Sequence, residues 1–387
     1  MSNRVLEYIS ITAIALVVLT SSCSKDDLGE IKNKPEDKKE VEYTWSATAD
    51  SMQDATYTIF LSSDGTFKQN HTGNNNFNYW WNAHMLDVLV DGYLRTKDEA
   101  YVPKMKALLQ GIKARNSNRY QNEFNDDMEW LGIACLRAYG ATNDIVYKEV
   151  AQELWDEVKK GWSEVNGGGI MWRIDTPNEK NACSNGPAAI LAARLYDIDK
   201  NPEDLEWAKK IYGWLRNTLV DPATGLVWDN IALKNGETVI NKDWIFTYNQ
   251  GTYIGAATEL YELTKDKTYL DDAVKTSKSI MTSPKVTSAG LLKSEGQGDG
   301  GLFKGILVRY FTLLVQQPDL EENERSSFTN FLKFNAETFF TNGLSRSSMM
   351  CSPDWKKKPT STTDLSTQLS GVMLMEAAAR LKEGGEF

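Results

Sequence analysis

Two kinds of helical segment alternate along the chain from about residue 44 to its end. One kind is amphipathic, with apolar residues spaced three and four apart, as in Val146, Val150, Leu154 and Val158. The other kind is rich in alanine, glycine and aromatic residues and has few charges, which is typical of a helix buried on most sides. The alternation predicts that each amphipathic outer helix packs against a buried inner helix.

Six segments of each kind are present, and together they predict an all-α fold. The predicted inner helices are 79–93, 126–139, 185–196, 249–263, 303–315 and 364–381. The predicted outer helices are 44–61, 100–115, 144–160, 202–219, 268–281 and 324–340. Six helical hairpins predict an (α/α)6 barrel, in which six outer helices surround six inner ones. The repeat spacing is too irregular for the alternative, an open solenoid of fixed-length repeats.

The N-terminal residues have the pattern of a targeting segment. Arg4 precedes an apolar run over residues 9–19, which has the length of a signal-peptide core and is too short to span a membrane. Small residues then lead to Cys23, and this resembles the site where a bacterial signal peptidase cleaves before a cysteine that becomes lipidated. The alternative is an ordinary secretory signal peptide with a chance cysteine.

These features divide the chain into three parts. We expect a lipoprotein signal peptide over residues 1–22, a lipidated polar tether over residues 23–42 and a single (α/α)6 domain over residues 43–387. Lys25, Asp26 and Asp27 resemble the signal that sends some Gram-negative lipoproteins to the outer face of the outer membrane. We therefore expect a cell-surface lipoprotein, with the periplasmic face as the alternative.

The amino-acid composition limits the kinds of ligand and reaction that the protein can be expected to have. The chain has 43 Lys and Arg against 53 Asp and Glu, for a net charge of −10, which argues against a nucleic-acid partner. With only two histidines, His71 and His84, multi-histidine metal centres are excluded, and we predict neither a metal nor a cofactor. The 12 Trp, 16 Tyr and 13 Phe favour carbohydrate, because sugar rings stack on aromatic faces and acetal chemistry uses carboxylates.

Three further cysteines lie within the predicted domain. Cys135, Cys183 and Cys351 are far apart in sequence and lack the close spacing of metal or redox motifs. We interpret them as buried thiols, and a disulfide between two of them stays open at this point.

Asp126 and Asp127 are the strongest catalytic candidates. They stand at the start of the second predicted inner helix, where capping and the helix dipole by themselves favour aspartate. A retaining glycosidase needs two carboxyl groups about 5 to 5.5 Å apart, a separation that adjacent residues can meet. Two carboxylates so close cannot both ionise freely, so one pKa is expected to rise above the other.

Residues in nearby loops and helix starts are candidates for binding a sugar. Trp172 follows a triple glycine, and Tyr248, Asn249 and Gln250 open an inner helix with neutral polar groups. Capping is the alternative for Asn249, and burial of its aliphatic part is the alternative for Lys304. The complete predicted set of substrate-binding residues is Trp81, Trp130, Trp172, Asn185, Tyr248, Asn249, Gln250, Asp299, Phe303 and Lys304.

Four segments together resemble one enzyme family. Residues 126–130 resemble the Asp-Asp motif of glycoside hydrolase family 76, the endo-α-1,6-mannanases, and residues 167–172, 247–251 and 303–306 are similar to other parts of the family pattern. The resemblance covers essentially the whole predicted domain. It implies an (α/α)6 fold and cleavage of α-1,6-mannan with retention, with Asp126 as nucleophile and Asp127 as acid/base.

Alternatives to this activity remain open from sequence. The chain could be a non-catalytic, glycan-binding surface lipoprotein, in which the acidic pair is only a helix cap. A second alternative is an (α/α)6 hydrolase of a different glycoside. The expected partners are α-mannan and, through Cys23, a membrane, and the chain is expected to be a monomer.

Overall fold

The computed structural model describes residues 41–387, and residues Tyr43–Phe387 form one compact unit. The predicted signal peptide, Cys23 and residues 24–40 of the predicted tether lie outside the described residues. The outer helices are α1 (Trp45–Phe60), α3 (Tyr101–Arg115), α5 (Ile145–Val158), α7 (Pro202–Thr218), α9 (Lys267–Thr282) and α11 (Glu322–Thr338). The inner helices are α2 (Tyr79–Thr96), α4 (Asn125–Thr142), α6 (Gly186–Asp199), α8 (Thr247–Thr264), α10 (Gly300–Val315) and α12 (Leu365–Glu383).

The inner helices form a closed ring. Each packs against the next along the chain, and α12 packs back against α2, while α1 covers α12 and α3, α5, α7 and α9 cover the inner helices that precede them. This is the predicted (α/α)6 barrel, and every helix boundary lies within three residues of its prediction. Within residues 41–387, no helix is long and apolar enough to cross a membrane.

Tight turns join inner to outer helices at one end of the barrel. The residue after α2, α4, α6 and α8 adopts a left-handed conformation and donates its N–H to a tyrosine carbonyl four residues earlier. The following Asp or Asn side chain accepts a backbone N–H at the start of the next outer helix. These left-handed residues are Lys97, Asn143, Lys200 and Lys265. Because each turn is short, we call this the closed end.

The opposite, open end contains the long connections from outer to inner helices. A three-stranded antiparallel sheet is formed there by β1 (Glu179–Asn181), β2 (Asn230–Lys234) and β3 (Glu237–Ile240). Two short hairpins follow, β4 (Thr287–Ser288) with β5 (Leu291–Leu292), and β6 (Leu344–Ser345) with β7 (Met350–Cys351). The sequence did not predict these strands, since two to five residues are too few to establish an alternating pattern.

Buried amide side chains fix these connections to the inner helices. Each lies near the start of an inner helix and accepts an N–H from a loop residue while donating to a loop carbonyl. Asn185, for example, accepts from the Ile170 N–H at 2.8 Å and donates to the Ile170 carbonyl at 3.0 Å. We call the set of four the amide clamps: Asn82 on Phe67, Asn185 on Ile170, Gln250 on Val227, and Gln368 on Cys351 and Met349. They satisfy loop backbone groups that would otherwise be buried without partners.

Helices α8 and α10 approach each other closely at Gly251. A Cβ atom at Gly251 would lie 2.6 Å from the backbone Cα of Leu307, so there is no room for a side chain. We expect Gly251→Ala to lower the free energy of unfolding by about 1 to 3 kcal/mol through overpacking. Thermal or urea denaturation followed by circular dichroism measures this change.

Gly213 on outer helix α7 provides the matched control. A Cβ atom there meets nothing within 4 Å, so Gly213→Ala should raise stability by about 0.5 to 1 kcal/mol through better helix propensity. Equal effects of the two substitutions would contradict the close packing of α8 against α10.

Candidate active site

A cavity of about 380 Å³ opens at the N-terminal ends of the inner helices. Its wall combines aromatic rings with three aspartates, a combination suited to a sugar, which offers both apolar ring faces and hydroxyl groups. The lining residues are Phe77, Asn78, Tyr79, Trp80, Phe124, Asp126, Asp127, Trp130, Trp172, Asn181, Cys183, Tyr248, Asp299 and Phe303.

Hydrogen bonds at the start of α4 position the acidic pair. The first residue of this helix, Asn125, donates its backbone N–H to the Trp172 carbonyl at 2.9 Å and its side-chain amide to the Met171 carbonyl at 2.8 Å. The Asn122 side chain accepts the Phe124 N–H and donates to Oδ2 of Asp127 at 3.0 Å. The loop bearing Trp172 and the helix bearing the two aspartates are therefore held together.

Glycines allow the Trp172 loop to pack tightly against two other tryptophans. Gly168 and Gly169 have φ angles of 126° and 90°, and Cβ atoms there would lie 2.7 Å from the Trp162 ring and 2.8 Å from the Trp214 ring. Side chains are therefore excluded by both conformation and space. Beyond this turn the Trp172 ring contacts Phe124, with centroids 5.0 Å apart, and faces the cavity.

The opposite wall is a fixed aromatic surface. The Tyr248 and Phe303 rings stack with centroids 3.9 Å apart and planes within 6° of parallel. Trp80 lies beside Phe303 at 6.4 Å, and its indole N–H donates to Oδ1 of Asp299 at 3.1 Å. Asp299 therefore holds Trp80 in the cavity wall, and its negative charge acts on Asp127.

The two aspartates of the pair have different electrostatic environments. Burial raises the pKa of the Asp126 carboxyl to about 7, while the Cys183 thiol, backbone amides and the Trp172 side chain oppose this rise. Burial also raises the pKa of Asp127 well above its usual range, and the negative charges of Asp126, Asp299 and Glu123 raise it further. The neighbouring negative charges therefore favour the protonated form of Asp127, and Asp126 is the carboxyl that ionises more readily.

Neutral side chains lie beneath the cavity. Glu129 is fully buried one turn after Asp126, and burial followed by the Asp126 charge raises its pKa well above normal. Burial lowers the pKa of His84 to about 3, so this imidazole is uncharged, and its ring lies 4.7 Å from that of Trp130. Across residues 41–387, no group of three or more His, Cys, Asp or Glu side chains could hold a metal ion.

The fold and this site coincide with one protein family. The model for glycosyl hydrolase family 76 matches residues 44–383, which is nearly the entire described chain. The chain belongs to glycosyl hydrolase family 76. It is therefore a glycoside hydrolase, and the resemblance inferred from four short segments is confirmed at the level of the family.

Characterised proteins are similar to this chain over about half to nearly nine-tenths of its length. The α-1,6-mannanase GH76A of Salegentibacter sp. HEL1_6 is 63% identical with a TM-score of 0.86, covering 87% of this chain and 99% of that one. An inactive variant of it, with two adjacent aspartates replaced by asparagine, forms a complex with α-1,6-mannotriose; it is 62% identical, with the same coverage and TM-score. Mannan endo-1,6-α-mannosidase DCW1 of Candida glabrata is 29% identical over 48% of this chain, which spans only 46% of that protein.

Seven of the twelve predicted catalytic and substrate-binding residues of this family 76 chain line the cavity. The structure brings together residues that are up to 177 positions apart in sequence, from Asp126 to Phe303. The seven are Asp126, Asp127, Trp130, Trp172, Tyr248, Asp299 and Phe303.

The other five lie outside the cavity wall, and their predicted contact with substrate is corrected here. Asn185 and Gln250 are fully buried amide clamps, so their polar groups are used by loop backbone. Asn249 is also fully buried and donates to Oδ1 of Asp229 at 3.0 Å. In each case the position near a helix start was predicted correctly, but the side chain points into the protein.

Trp81 and Lys304 need the same correction. Trp81 is 2% exposed and reaches the site only through its indole N–H, which donates to Asp299 at 3.0 Å. Its neighbour Trp80 lines the cavity, because adjacent helix positions face about 100° apart. Lys304 is buried against the Trp355 ring and donates to the Pro353 carbonyl at 2.7 Å, away from the cavity.

Several residues at the cavity were not predicted from the sequence. Phe77 and Tyr79 lie in the cavity wall near the start of α2, and Asn122 reaches Asp127 from the preceding turn. The aromatic residues around the start of the predicted inner helix 79–93 could have indicated this part of the cavity wall. Cys183 lines the cavity as a free, buried thiol. Cys135 and Cys351 are also free and buried, so no disulfide joins any two of these three cysteines.

The raised pKa values predict a pH-dependent stability cost. Because folding raises the pKa of Asp126 from about 3.9 to about 7, the protonated form favours the folded state. The stability present below pH 4 is lost as the pH rises through 7. We expect Asp126→Asn to raise the free energy of unfolding by about 1 to 3 kcal/mol at pH 8 and to change it little at pH 4.

Asp271 is the matched control for this measurement. It belongs to another adjacent Asp pair, but it is exposed on α9, so Asp271→Asn should be neutral at both pH values. Thermal denaturation at the two pH values measures the difference. A gain for Asp126→Asn that is equally large at pH 4 would contradict a burial cost that depends on ionisation.

Proposed function

We propose that this family 76 hydrolase cleaves α-1,6-mannosidic linkages within a mannan backbone, with retention of configuration at the anomeric carbon. The observation that carries the proposal is the pair Asp126 and Asp127, which lie side by side in an aromatic cavity and have unequal pKa values. A neighbour of 62% identity that is an α-1,6-mannanase is inactive when two adjacent aspartates become asparagines. The proposed sugar and linkage rest on the similarity to that neighbour. The proposed roles of the two aspartates rest on the geometry and pKa values of the site.

The first step uses the two carboxyls in opposite protonation states. Asp126, which ionises first, attacks the anomeric carbon as the bond from that carbon to the leaving oxygen breaks. Asp127, which stays protonated, gives its proton to the leaving oxygen. The electron pair of the broken bond passes to that oxygen, and a covalent glycosyl ester forms on Asp126.

The second step regenerates both carboxyls. Asp127 is now an anion beside an Asp126 that has lost its charge in the ester, so it can accept a proton from water. The water oxygen attacks the anomeric carbon, the ester bond to Asp126 breaks, and the sugar leaves with its original configuration. Two inversions at the same carbon account for retention.

The cavity wall supports an oligosaccharide rather than a small polar molecule. The Tyr248 and Phe303 stack on one side and Trp172 with Phe124 on the other offer flat apolar surfaces for sugar rings. The cavity opens at the N-terminal ends of the inner helices, where the connecting loops leave it accessible to a polymer. We also propose that a monomer is the active form, because one barrel by itself carries both carboxyls and the aromatic walls of the cavity.

Substitution of the pair tests the catalytic proposal. We expect Asp126→Asn and Asp127→Asn each to lower hydrolysis of linear α-1,6-mannan by a factor of at least about 10³, because each removes an essential chemical group. Wild-type protein should release mid-sized oligosaccharides early, as measured by size-resolved chromatography over time. Asp271→Asn, at an exposed position on α9, should leave the rate unchanged.

Other outcomes are equally informative. Mannan binding without cleavage by the wild-type protein would move it to the glycan-binding class. Proton NMR of the first products distinguishes retention from inversion, and inversion would remove the covalent step. Trapping of a glycosyl ester on Asp127 rather than Asp126 would reverse the two roles.

We also propose that the enzyme is a lipoprotein held at the outer face of the outer membrane through Cys23. Support comes from the sequence: Arg4, the apolar run over residues 9–19 and the small residues before Cys23. A polymer such as mannan does not pass freely through a membrane, so a surface position would place the cavity where its substrate is. The polar residues 24–42 are long enough to separate the domain from the lipid surface.

Replacing Cys23 tests the anchor. We expect Cys23→Ala to abolish incorporation of labelled fatty acid and to move the protein from the membrane fraction to a soluble fraction. Fractionation and protease treatment of intact cells measure location and surface exposure, with Cys135→Ala as a control that keeps the lipid. Unchanged membrane association of Cys23→Ala would contradict the proposal.

A further inference from the structure

An exposed tryptophan stands just outside the catalytic cavity. Trp244 lies three residues before α8, and 54% of its surface is exposed to solvent. Removing a large aromatic side chain from water lowers the free energy. An exposed indole at the open end of the barrel is therefore a candidate contact for a ligand.

Trp244 forms one side of a second groove. This groove has a volume of about 220 Å³ and is lined by Trp244, Phe246, Lys285, Lys293 and Ser294. Lys285 lies 3.6 Å from Asp243, and both side chains are exposed, so they can also bond to a ligand. The groove thus combines a flat apolar face with hydroxyl, ammonium and carboxylate groups.

An unbroken line of aromatic rings connects the groove to the catalytic cavity. The centroid of Trp244 lies 6.1 Å from that of Phe246, which lies 5.4 Å from that of Phe303 in the cavity wall. Phe246 lines the groove and contacts Phe303, which lines the cavity, so the two spaces are neighbours. A chain that leaves the cavity over Phe303 would meet Phe246 and then Trp244.

Hydrogen bonds fix this part of the rim. The Glu295 side chain, which lines the groove, accepts the backbone N–H of Thr247 at 2.9 Å and also its hydroxyl. These bonds hold the start of α8, and with it the adjoining residues 244–246, to the loop that precedes α10. A platform held in place loses little conformational entropy when a sugar binds.

We propose that the Trp244 groove is a second sugar-binding site, which holds mannose residues of a polymer beyond those in the catalytic cavity. The identity of the sugar rests on the proposed function; the existence of the site rests on the groove and its continuity with the cavity. Because the two sites would bind one chain, the groove increases affinity for long chains and has no effect on a ligand that fills only the cavity.

Binding by an inactive protein tests the site without relying on hydrolysis. The background is the double variant Asp126→Asn with Asp127→Asn, and the probes are linear α-1,6-mannan and α-1,6-mannobiose. We expect Trp244→Ala to raise the dissociation constant for the polymer on the order of tenfold, as one aromatic contact allows. The dissociation constant for mannobiose should not change, and both values are measured by calorimetry.

Two further variants separate a binding role from a folding role. Trp244→Tyr keeps an aromatic surface and should restore most of the polymer affinity. Ile145→Ala removes another exposed apolar side chain, 50% exposed at the closed end, and should have no effect. Equal weakening for polymer and mannobiose would mean that Trp244 acts on the cavity, and this would overturn the proposal.

The remaining outcomes distinguish this inference from the proposed function. If the wild-type protein cleaves α-1,6-mannan but Trp244→Ala leaves polymer affinity unchanged, the catalytic proposal stands and the second site is refuted. If the wild-type protein cleaves nothing, yet polymer binding still depends on Trp244, the reverse holds. Absence of mannan binding by the double variant would overturn the second site.

Discussion

The structure depends on satisfying the backbone of the loops at the open end of the barrel. These loops cover the starts of the inner helices, where water is excluded and each N–H and C=O needs a partner. The amide clamps supply those partners from the helices themselves, as when Gln250 bonds both the N–H and the carbonyl of Val227 at 2.8 Å. The helices thereby determine where the loops lie, and the loops complete the cavity.

The same arrangement explains how the site keeps two carboxyls in different states. Burial at the start of α4 raises both pKa values. The negative charges of Asp299 and Glu123 raise the pKa of Asp127 further, so the two residues differ in acidity. Burying these carboxyls lowers the free energy of unfolding, and the packing of the rest of the barrel core compensates for this loss. Chemistry at neutral pH requires this separation, since one carboxyl must donate a proton while the other attacks.

How far the site could be predicted depended on the kind of residue. The acidic pair and Trp172 could be identified, because a carboxylate pair at a buried helix start and a tryptophan after three glycines are unusual in sequence. Asn185 and Gln250 could not be assigned correctly, since an amide near a helix start looks the same whether it faces a ligand or a loop. The choice between Trp80 and Trp81 required the rotation of α2, which adjacent residues do not reveal.

The sequence by itself determined the number, order and boundaries of the helices, the all-α barrel and the position of the acidic pair. Helical periodicity, turn residues and the contrast between buried and amphipathic segments are local properties, so they can be detected along the chain. Only the tertiary structure decided which side chains meet in the cavity and what their pKa values are. Those properties depend on contacts such as Trp80 with Asp299, 219 residues apart, and on burial, which no local pattern specifies.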